Sequence, residues 1–491
     1  MSDKVVIRRL ATGVPGLDTI LGGGLPEFSF NLIAGPPGSG KTTLAHQIMF
    51  ALATHEHPAL FFTILGEPPL KMLRYQQQFT FFDTSKINDS IRFVSLSEEV
   101  ASGKFELVLA RITEEIETFS PALVFVDSLR SLRLGAGSPE STTSSQQQFI
   151  QELGMLLSSW QATTFLVGEY VSDADPHPVF TIADGLLSLD QSALRNSMVR
   201  KIQVLKMRGQ ATSPGLHTFR ITDAGVEVFP APVVHATNGP SGPSYARLAM
   251  GIPRLDEMLG GGLPSGYSLL VAGPSGSGKT ILATSFLAEG VRRGEPGVLV
   301  AFEQTPSQSR TRTIDDLVRA GTLGLINSRA LDLSIDEIVQ QLLKLIHQMK
   351  ATRVVIDSLS GFELAVAPTF REGFRESLFR MVTALASVGV TVLMTSELED
   401  RYTDLRFSPY GSAFLTDAII VQRYIEVESC LKRVMAVIKV RASPHSTEIR
   451  EFEIHNGAIV IGQKVLDYEG LLGGRPTRMA RPGSVLRGAS Q

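Results

Sequence analysis

The chain contains very little cysteine and no sustained hydrophobic run. Its single cysteine, Cys430, excludes an internal disulfide framework and a zinc module built from cysteines. We expect this thiol to be buried in a strand, because no histidine or basic pair flanks it closely. The first residues, MSDKVVIRR, lack the apolar core of a signal peptide, and no apolar run approaches the width of a bilayer. These absences predict a soluble, cytoplasmic protein without membrane contact.

The sequence also lacks an excess of charge of one sign. It carries 46 basic and 49 acidic residues, for a formal net charge of −3. This balance argues against a tight nucleic-acid partner, which usually requires a strongly basic surface. The hydrophobic content of 43% is typical of folded domains with substantial cores, and a length of 491 residues favours two or three of them.

What the sequence does contain is an internal repeat. Residues 9–45 and 247–283 align without a gap, and 24 of the 37 positions are identical. Each copy ends in the pattern G-x-x-x-x-G-K-T, at an offset of 238 residues. In such a loop, backbone N–H groups face phosphate oxygens, the lysine reaches the β- and γ-phosphates, and the threonine ligates Mg²⁺. The repeat therefore predicts two sites for ATP and Mg²⁺ on two similar domains.

The two predicted phosphate loops supply the nucleotide-binding candidates. Lys41 and Lys279 are predicted to bind the phosphates, and Thr42 and Thr280 to ligate Mg²⁺. The predicted contacts in the first copy are Gly35, Pro36, Pro37, Gly38, Ser39, Gly40, Lys41, Thr42 and Thr43. Those in the second copy are Gly273, Pro274, Ser275, Gly276, Ser277, Gly278, Lys279, Thr280 and Ile281.

Apolar strands alternate with helical patterns inside each copy. In the second copy YSLLVAG, GVLVAFE, RVVIDS and VTVLMTSE predict strands, and KTILATSFLAEGVRR and SIDEIVQQLLKLIHQMK predict helices. In the first copy FNLIAG, ALFFTIL, ALVFVDS and TTFLVGE match those strands. Short buried strands separated by helices indicate an α/β fold with a mostly parallel sheet flanked by helices. A strand that leads through a glycine loop into a helix is also the context that the phosphate-loop motif requires.

Composition sets the expected domain boundaries. We expect a first domain over residues 1–230 and a second over 245–466. Residues 231–244 are rich in Pro, Gly, Ser and Asn, which indicates a linker. Residues 467–491 form a C-terminal tail that is basic from residue 473 onward and that we expect to be flexible.

Two aspartates end buried strands in equivalent places. LVFVD ends in Asp127 and RVVID ends in Asp357. A P-loop ATPase needs an acidic arm on its metal ion, delivered from a strand of this kind. Both aspartates are therefore predicted metal-site residues, although an aspartate there can instead cap a following helix.

Hydrolysis also needs a group that orients or deprotonates the attacking water. Glu303 follows the apolar strand of VLVAFEQTP and is the candidate in the second copy. In the first copy, Leu65 and Gly66 align with Glu303 and Gln304. The nearby acid there is Glu67, which either acts in catalysis or stabilises the start of the next helix. The sequence thus predicts two inequivalent sites.

A Lys–Arg pair recurs late in each copy. VLKMRG contains Lys206 and Arg208, and VIKVRA contains Lys439 and Arg441, 165 and 160 residues past the two phosphate-loop lysines. Alternate residues of a strand project from one face, so each pair predicts a joint cationic patch. Such a pair on its own is often a solvated strand face, but its recurrence favours a function.

The combined pattern resembles the KaiC family, in which one chain carries tandem RecA-like ATPase domains. The resemblance covers residues 9–466 and rests on R-x-x-[TM]-G-x-P-x-L-D, L-G-G-G-L-P, both phosphate loops, both aspartate strands and both K-x-R strands. It implies two tandem RecA-like P-loop domains and a homohexameric ring with ATP between neighbours. It further implies that both Lys–Arg pairs act in trans on the neighbour's γ-phosphate, and that Glu303 matches the first residue of a paired-glutamate motif.

The chain departs from the family pattern in two places. Members with a clock function autophosphorylate an adjacent Ser–Thr pair, and Ala413 and Phe414 stand at that position here. Ser412 and Thr416 are the nearby hydroxyls. The other departure is the replacement of the paired glutamates in the first copy. The resemblance therefore implies a ring ATPase that couples its nucleotide state to signalling partners, and leaves Ser/Thr autokinase activity in the second domain open.

Two other classes of protein fit parts of the pattern. One is a DNA-handling motor of the RecA or replicative-helicase type, which the charge balance disfavours. The other is a nucleotide-gated scaffold with little turnover, which the missing acid at position 65 favours for the first domain.

Overall fold

We describe the chain from a computed structural model. The structure describes residues 7–64, 69–102, 104–128, 149, 151–157, 160–169, 179–194, 197–231, 246–302, 312–327, 334–366, 374–398, 415–466, 468–473 and 477–478. The chain divides into two compact units, Met1–Val233 and Val234–Gln491. No described helix is both long and apolar enough to cross a membrane.

Each unit is built on a nine-stranded sheet. The strands of the first unit are β1 (Arg9–Leu10), β2 (Leu25–Pro26), β3 (Phe30–Ala34), β4 (Ala59–Thr63), β5 (Ile91–Ser95), β6 (Leu123–Asp127), β7 (Thr163–Gly168), β8 (Gly185–Leu194), β9 (Ser197–Met207), β10 (His217–Thr222) and β11 (Gly225–Phe229). Its helices are α1 (Leu17–Leu21), α2 (Lys41–Leu52), α3 (Pro69–Gln76), α4 (Ser97–Ala101), α5 (Phe105–Phe119) and α6 (Val179–Ile182).

The second unit repeats the strands of the first and adds a further pair of strands at its C-terminal end. Its strands are β12 (Arg247–Leu248), β13 (Leu263–Pro264), β14 (Ser268–Gly273), β15 (Gly297–Ala301), β16 (Leu323–Asn327), β17 (Arg353–Asp357), β18 (Thr391–Glu397), β19 (Ala418–Val427), β20 (Cys430–Val440), β21 (Arg450–His455), β22 (Ala458–Lys464), β23 (Tyr468–Glu469) and β24 (Thr477–Arg478). Its helices are α7 (Pro253–Met258), α8 (Lys279–Arg292), α9 (Arg312–Arg319), α10 (Ile335–Met349), α11 (Leu359–Ala365) and α12 (Phe374–Ser387).

The sheet order is β11-β10-β9-β8-β3-β7-β6-β4-β5 in the first unit and β16-β15-β17-β18-β14-β19-β20-β21-β22 in the second. Strands β8, β3, β7, β6, β4 and β5 run parallel, and β9, β10 and β11 extend the sheet antiparallel. Hydrophobic clusters cover both faces of each sheet. The predicted α/β fold with mostly parallel sheets flanked by helices is confirmed.

The apolar strands lie at the centre because both of their faces are buried. All five residues of β3 and of β4 are buried, which explains their continuous hydrophobic sequence. The rings of Phe61, Phe125 and Phe165 lie on neighbouring strands and stack in a row, with centroids 6.0 and 4.6 Å apart. This packing ties together the middle of three parallel strands of the first unit.

Two features of the C-terminal half differ from the expectations. Cys430 is exposed and not buried, because it is the first residue of β20, directly after a two-residue turn in which Glu428 and Ser429 have positive φ. Beyond residue 466, Leu471 is 4% exposed and packs in a cluster with Ile425 and Val434. Part of the segment expected to be a flexible tail thus packs on the second domain.

Candidate nucleotide-binding sites

The first predicted phosphate loop joins the end of β3 to the start of α2. Gly38 and Gly40 adopt φ values of +75° and +99°, which side chains rarely tolerate. A Cβ on Gly40 would lie 2.7 Å from Cδ1 of Ile221. Gly40 is also the N-cap of α2 and supplies no side-chain hydrogen bond to the helix. The first N–H groups of α2 therefore remain available to an anion.

Lys41 is folded onto its own loop and donates a hydrogen bond from Nζ to the carbonyl oxygen of Pro36, 2.8 Å away. Burial lowers the pKa of the Lys41 ammonium, and the nearby carboxylates of Glu169 and Asp127 raise it in part. A buried lysine with acids nearby is held in place while its ammonium remains able to meet a phosphate. This arrangement agrees with the predicted role of Lys41.

The predicted metal ligands of the first site lie together. The Thr42 hydroxyl on α2 donates a hydrogen bond of 2.8 Å to Oδ2 of Asp127 at the end of β6. The hydroxyl proton points at the carboxylate, so the oxygen's lone pairs stay free for a cation. Two residues that are 85 positions apart in sequence are thus brought within hydrogen-bond distance.

The second loop has the same form with different supports. Lys279 donates from Nζ to the carbonyl oxygens of Gly273 and Pro274, at 2.9 and 2.8 Å. Burial lowers its pKa, and the charges of Glu397 and Asp357 raise it in part. The N-cap of α8 is Gly278, with a φ of +105°. Asp357 at the end of β17 accepts a hydrogen bond from the Thr395 hydroxyl.

Glu169 and Glu397 lie near the two lysines and were not predicted from the sequence. Glu397 ends β18, where its Cα pairs with that of Gly273 in the loop strand, and Glu169 follows the end of β7, the strand that pairs with β3. Each carboxylate lies close enough to the phosphate-loop lysine of its domain to raise that lysine's pKa. Both strand sequences, TTFLVGE and VTVLMTSE, end in the same acid, and this shared ending was the available signal.

These residues fit ATP with Mg²⁺. Each loop offers free helix N–H groups and a lysine to phosphates, and a threonine and an aspartate to the metal ion. In the part of the chain that the structure describes, no group of three His, Cys, Asp or Glu side chains could hold a metal ion alone. A cation that shares its ligands with substrate phosphates and water, as Mg²⁺ does, suits such a sparse set.

Both Lys–Arg pairs lie at the end of the first antiparallel strand of their sheet, β9 or β20. Lys206 on β9 pairs with Leu186, which pairs with Leu32 in the loop strand β3. Arg208 forms an ion pair with Asp184 at 3.0 Å, and the Asp184 N–H donates to the carbonyl of Phe30, the first residue of β3. Arg208 thus lies level with the amino end of β3 and Lys206 level with its middle, whereas the phosphate loop leaves its carboxyl end.

The second pair occupies the equivalent position. Lys439 donates to the carbonyl oxygen of Thr416, and Arg441 forms an ion pair with Asp417 at 3.2 Å. The Asp417 N–H donates to the carbonyl of Ser268, the first residue of β14. The arginine side chains remain 62% exposed in the first domain and 59% exposed in the second. Each guanidinium is therefore partly neutralised by an aspartate yet open to a partner.

Several predicted residues lie outside the described part of the chain. These are Leu65, Gly66, Glu67, Glu303, Gln304, Ser412, Ala413 and Phe414. The residues directly before Leu65 and Glu303 are described: the N–H groups of Ile64 and Phe302 donate to the carbonyls of Asp127 and Asp357. Leu65 and Glu303 therefore follow structurally equivalent residues, in agreement with their alignment. Thr416 is fully buried, which disfavours it as a phosphate acceptor.

Comparisons with known proteins agree with this architecture. The family model described as "ATPase: KaiC" matches residues 10–233 and 248–465. The circadian clock oscillator protein KaiC of a Picosynechococcus species is 28% identical over 489 residues, which cover 96% of this chain and 93% of the relative. KaiC 1 of a Synechocystis species is 27% identical over 494 residues, with coverage of 96% and 93%. The chain belongs to the KaiC family of ATPases, with one family domain in each of its two repeats.

Proposed function

We propose that the chain hydrolyses ATP at two sites per subunit and forms a ring in which each Lys–Arg pair completes the nucleotide site of a neighbouring subunit. The observation that carries this proposal is the placement of the pairs. From the level of Phe30 to that of Gly35 a strand rises about 17 Å, at about 3.3 Å per residue. Arg208 cannot span this distance to its own phosphate loop. A guanidinium that is exposed and remote from the nucleotide site of its own domain can instead reach the nucleotide site of an adjacent subunit.

The proposed chemistry follows from the residues at hand. Lys41 and Lys279 bind phosphate oxygens, and the helix N–H groups orient them. When bound, Mg²⁺ would neutralise phosphate charge, held by Thr42 with Asp127 and by Thr280 with Asp357. Arg208 and Arg441, with Lys206 and Lys439, stabilise the charge that develops during phosphoryl transfer. We assign the water-activating role to Glu303 in the second domain and keep Glu67 as the candidate in the first.

The finer functions are inferred from the family. We infer a homohexamer that couples its nucleotide state to signalling proteins, with Ser412 as the remaining candidate for autophosphorylation by sequence. The relatives' names describe circadian clock oscillators. We do not extend that role to this chain, because Ala413 and Phe414 offer no hydroxyl at the matched position.

Mixing two inactive variants tests the proposal. All chains carry Lys41→Ala, so that the second site alone is read. An Arg441→Ala chain and a Lys279→Ala chain should each be inactive, and mixed rings should recover part of the ATPase rate because some interfaces combine an intact loop with an intact arginine. A chain with both Lys279→Ala and Arg441→Ala, mixed with the Lys279→Ala chain, is the matched control and should give no recovery. Absence of recovery in mixed rings verified by native mass would contradict action in trans.

A further inference from the structure

The two metal-binding aspartates are held by different neighbours. In the first site Asp127 accepts a hydrogen bond from Thr42, the predicted metal ligand itself. In the second site Asp357 accepts through Oδ1 from Thr395, a residue of the adjacent strand β18. Both partners of the second contact are buried: Thr395 is fully buried and Asp357 is 9% exposed.

The register of the strands shows that the first domain lacks this partner. Asp127 pairs with Val167 across β6 and β7. In the second domain Ile356 pairs with Met394, so the next step along the strands places Asp357 opposite Thr395. Val167 and Thr395 thus occupy the same position. They have nearly the same shape, and one of them lacks the hydroxyl.

We propose that Thr395 is a positioning residue that orients the Asp357 carboxylate for Mg²⁺ in the second site, whereas in the first site Val167 stands at that position and Thr42 donates to Asp127. The inference rests on the proposed binding of Mg²⁺ and nucleotide at both sites. It adds a second difference between the two nucleotide sites. This difference lies in the metal site and is independent of the difference between Glu303 and Leu65.

The physical argument concerns the freedom of a carboxylate. The terminal torsion of an aspartate is broad, so a buried carboxylate without a hydrogen bond can rotate away from its metal. One bond to Oδ1 fixes the plane of Asp357 and leaves Oδ2 turned to other partners. Loss of an outer partner of a metal ligand typically costs about 10-fold to 100-fold in metal affinity. Thr395 is fully buried and donates to Asp357, the proposed metal ligand, so it has the features of an outer partner of that ligand.

Metal binding gives a test that is separate from turnover. Full-length chains with Lys41→Ala, which leaves only the second site, are saturated with ADP and titrated with Mn²⁺ by electron paramagnetic resonance. Thr395→Val should weaken Mn²⁺ binding about 10-fold, in line with lost outer-shell partners. Thr395→Ser, which keeps the hydroxyl, should bind Mn²⁺ nearly as the parent does. Thermal unfolding checks that each variant is folded. If the Thr395→Val chain is not folded, the Mn²⁺ affinities of Thr395→Ala and Thr395→Ser are compared instead.

The first domain supplies the matched control. In a Lys279→Ala chain, Val167→Thr should change Mn²⁺ affinity less than about twofold, because Asp127 is already held through Thr42. Equal Mn²⁺ affinity of the Thr395→Val chain and its parent would overturn the inference. A parent chain that binds neither ADP nor Mn²⁺ at its second site would instead contradict the proposed function.

Discussion

Gln191 on β8 braces the first phosphate loop by donating a hydrogen bond of 2.9 Å from Nε2 to the carbonyl oxygen of Pro37. The second loop is held by a different contact, because the Ser277 hydroxyl donates a hydrogen bond of 3.1 Å to Oε1 of Gln422. Strand register places Leu189 where the second domain has Gln422. Among the described residues the buried hydroxyl of Ser39 in the first loop has no partner. Two loops with closely similar sequences are thus held by different neighbours.

These braces predict effects that are confined to one site each. Gln191→Ala should weaken nucleotide binding at the first site by about threefold to tenfold, the usual value of one hydrogen bond, because the loop loses its tie to β8. Gln422→Leu, which installs the residue of the first domain, should act in the same way on the second site. Calorimetry in Lys279→Ala and Lys41→Ala backgrounds reads the two sites separately. Equal effects of either variant on both sites would contradict the assignment.

A buried histidine should make the first domain sensitive to acid. His46 on α2 is fully buried, with its ring centroid 4.6 Å from that of Phe61. Burial lowers the pKa of His46 to about 4, while the Gln76 side chain beside it raises the pKa by a smaller amount. In the unfolded chain the pKa is about 6.5, so the unfolded state binds the proton more readily as pH falls from about 6.5 to about 4.

The free energy of unfolding of the first domain should therefore fall by about 2 kcal/mol between pH 7.5 and pH 5 through His46 alone. His46→Phe, which keeps an aromatic ring but cannot titrate, should remove this part of the loss. Urea unfolding followed by fluorescence measures it, because the single tryptophan of the chain, Trp160, lies in the first domain. His55→Ala, at an exposed position, is the control and should retain the acid sensitivity. An unchanged pH dependence in His46→Phe would rule this residue out as the cause.

Lys41→Ala and Lys279→Ala should each remove nucleotide binding at one site and spare the other. In the hydrogen bonds that the structure describes, each lysine donates to carbonyl oxygens of its own loop. Each loop in turn belongs to its own sheet. Equilibrium dialysis should find two nucleotides per chain in the parent and one in each variant. The exposed Lys464→Ala serves as a control for loss of a positive charge. One nucleotide per parent chain at saturation would contradict the two-site proposal.

The central strands and both loops were predictable because they follow local rules. A fully buried parallel strand reads as a continuous apolar run, and the glycine loop needs no distant partner to be recognised. The three antiparallel strands of each sheet were not predicted as such, because the pairing of a long hairpin such as β8 and β9 depends on tertiary context. The nearness of Glu169 to Lys41 likewise depends on which strand lies beside β3, and sequence order does not show this. The prediction that Cys430 is buried was wrong, because the turn directly before it leaves the first residue of β20 exposed.

The last prediction concerns the division of labour between the sites. Ile64 and Phe302 hold equivalent positions beside Asp127 and Asp357, and the next residue is Leu65 in one domain and Glu303 in the other. A leucine cannot accept a proton, so we expect most hydrolysis at the second site. Glu303→Gln should lower the ATPase rate by about 100-fold or more, as expected for loss of a general base.

The matched variant is Glu67→Gln, which should slow the chain much less, because we expect the first site to bind ATP and turn it over slowly. Single-turnover rates in Lys279→Ala and Lys41→Ala backgrounds separate the two sites. Phosphosite mapping after incubation with Mg·ATP should find at most weak phosphorylation, confined to residues 408–416, since Ala413 and Phe414 carry no hydroxyl. Equal slowing by Glu67→Gln and Glu303→Gln, or stoichiometric phosphate elsewhere, would show that the active domain is assigned wrongly. If the assignment holds, the first domain responds to ATP chiefly by binding it, and the second sets the rate at which the protein changes its nucleotide state.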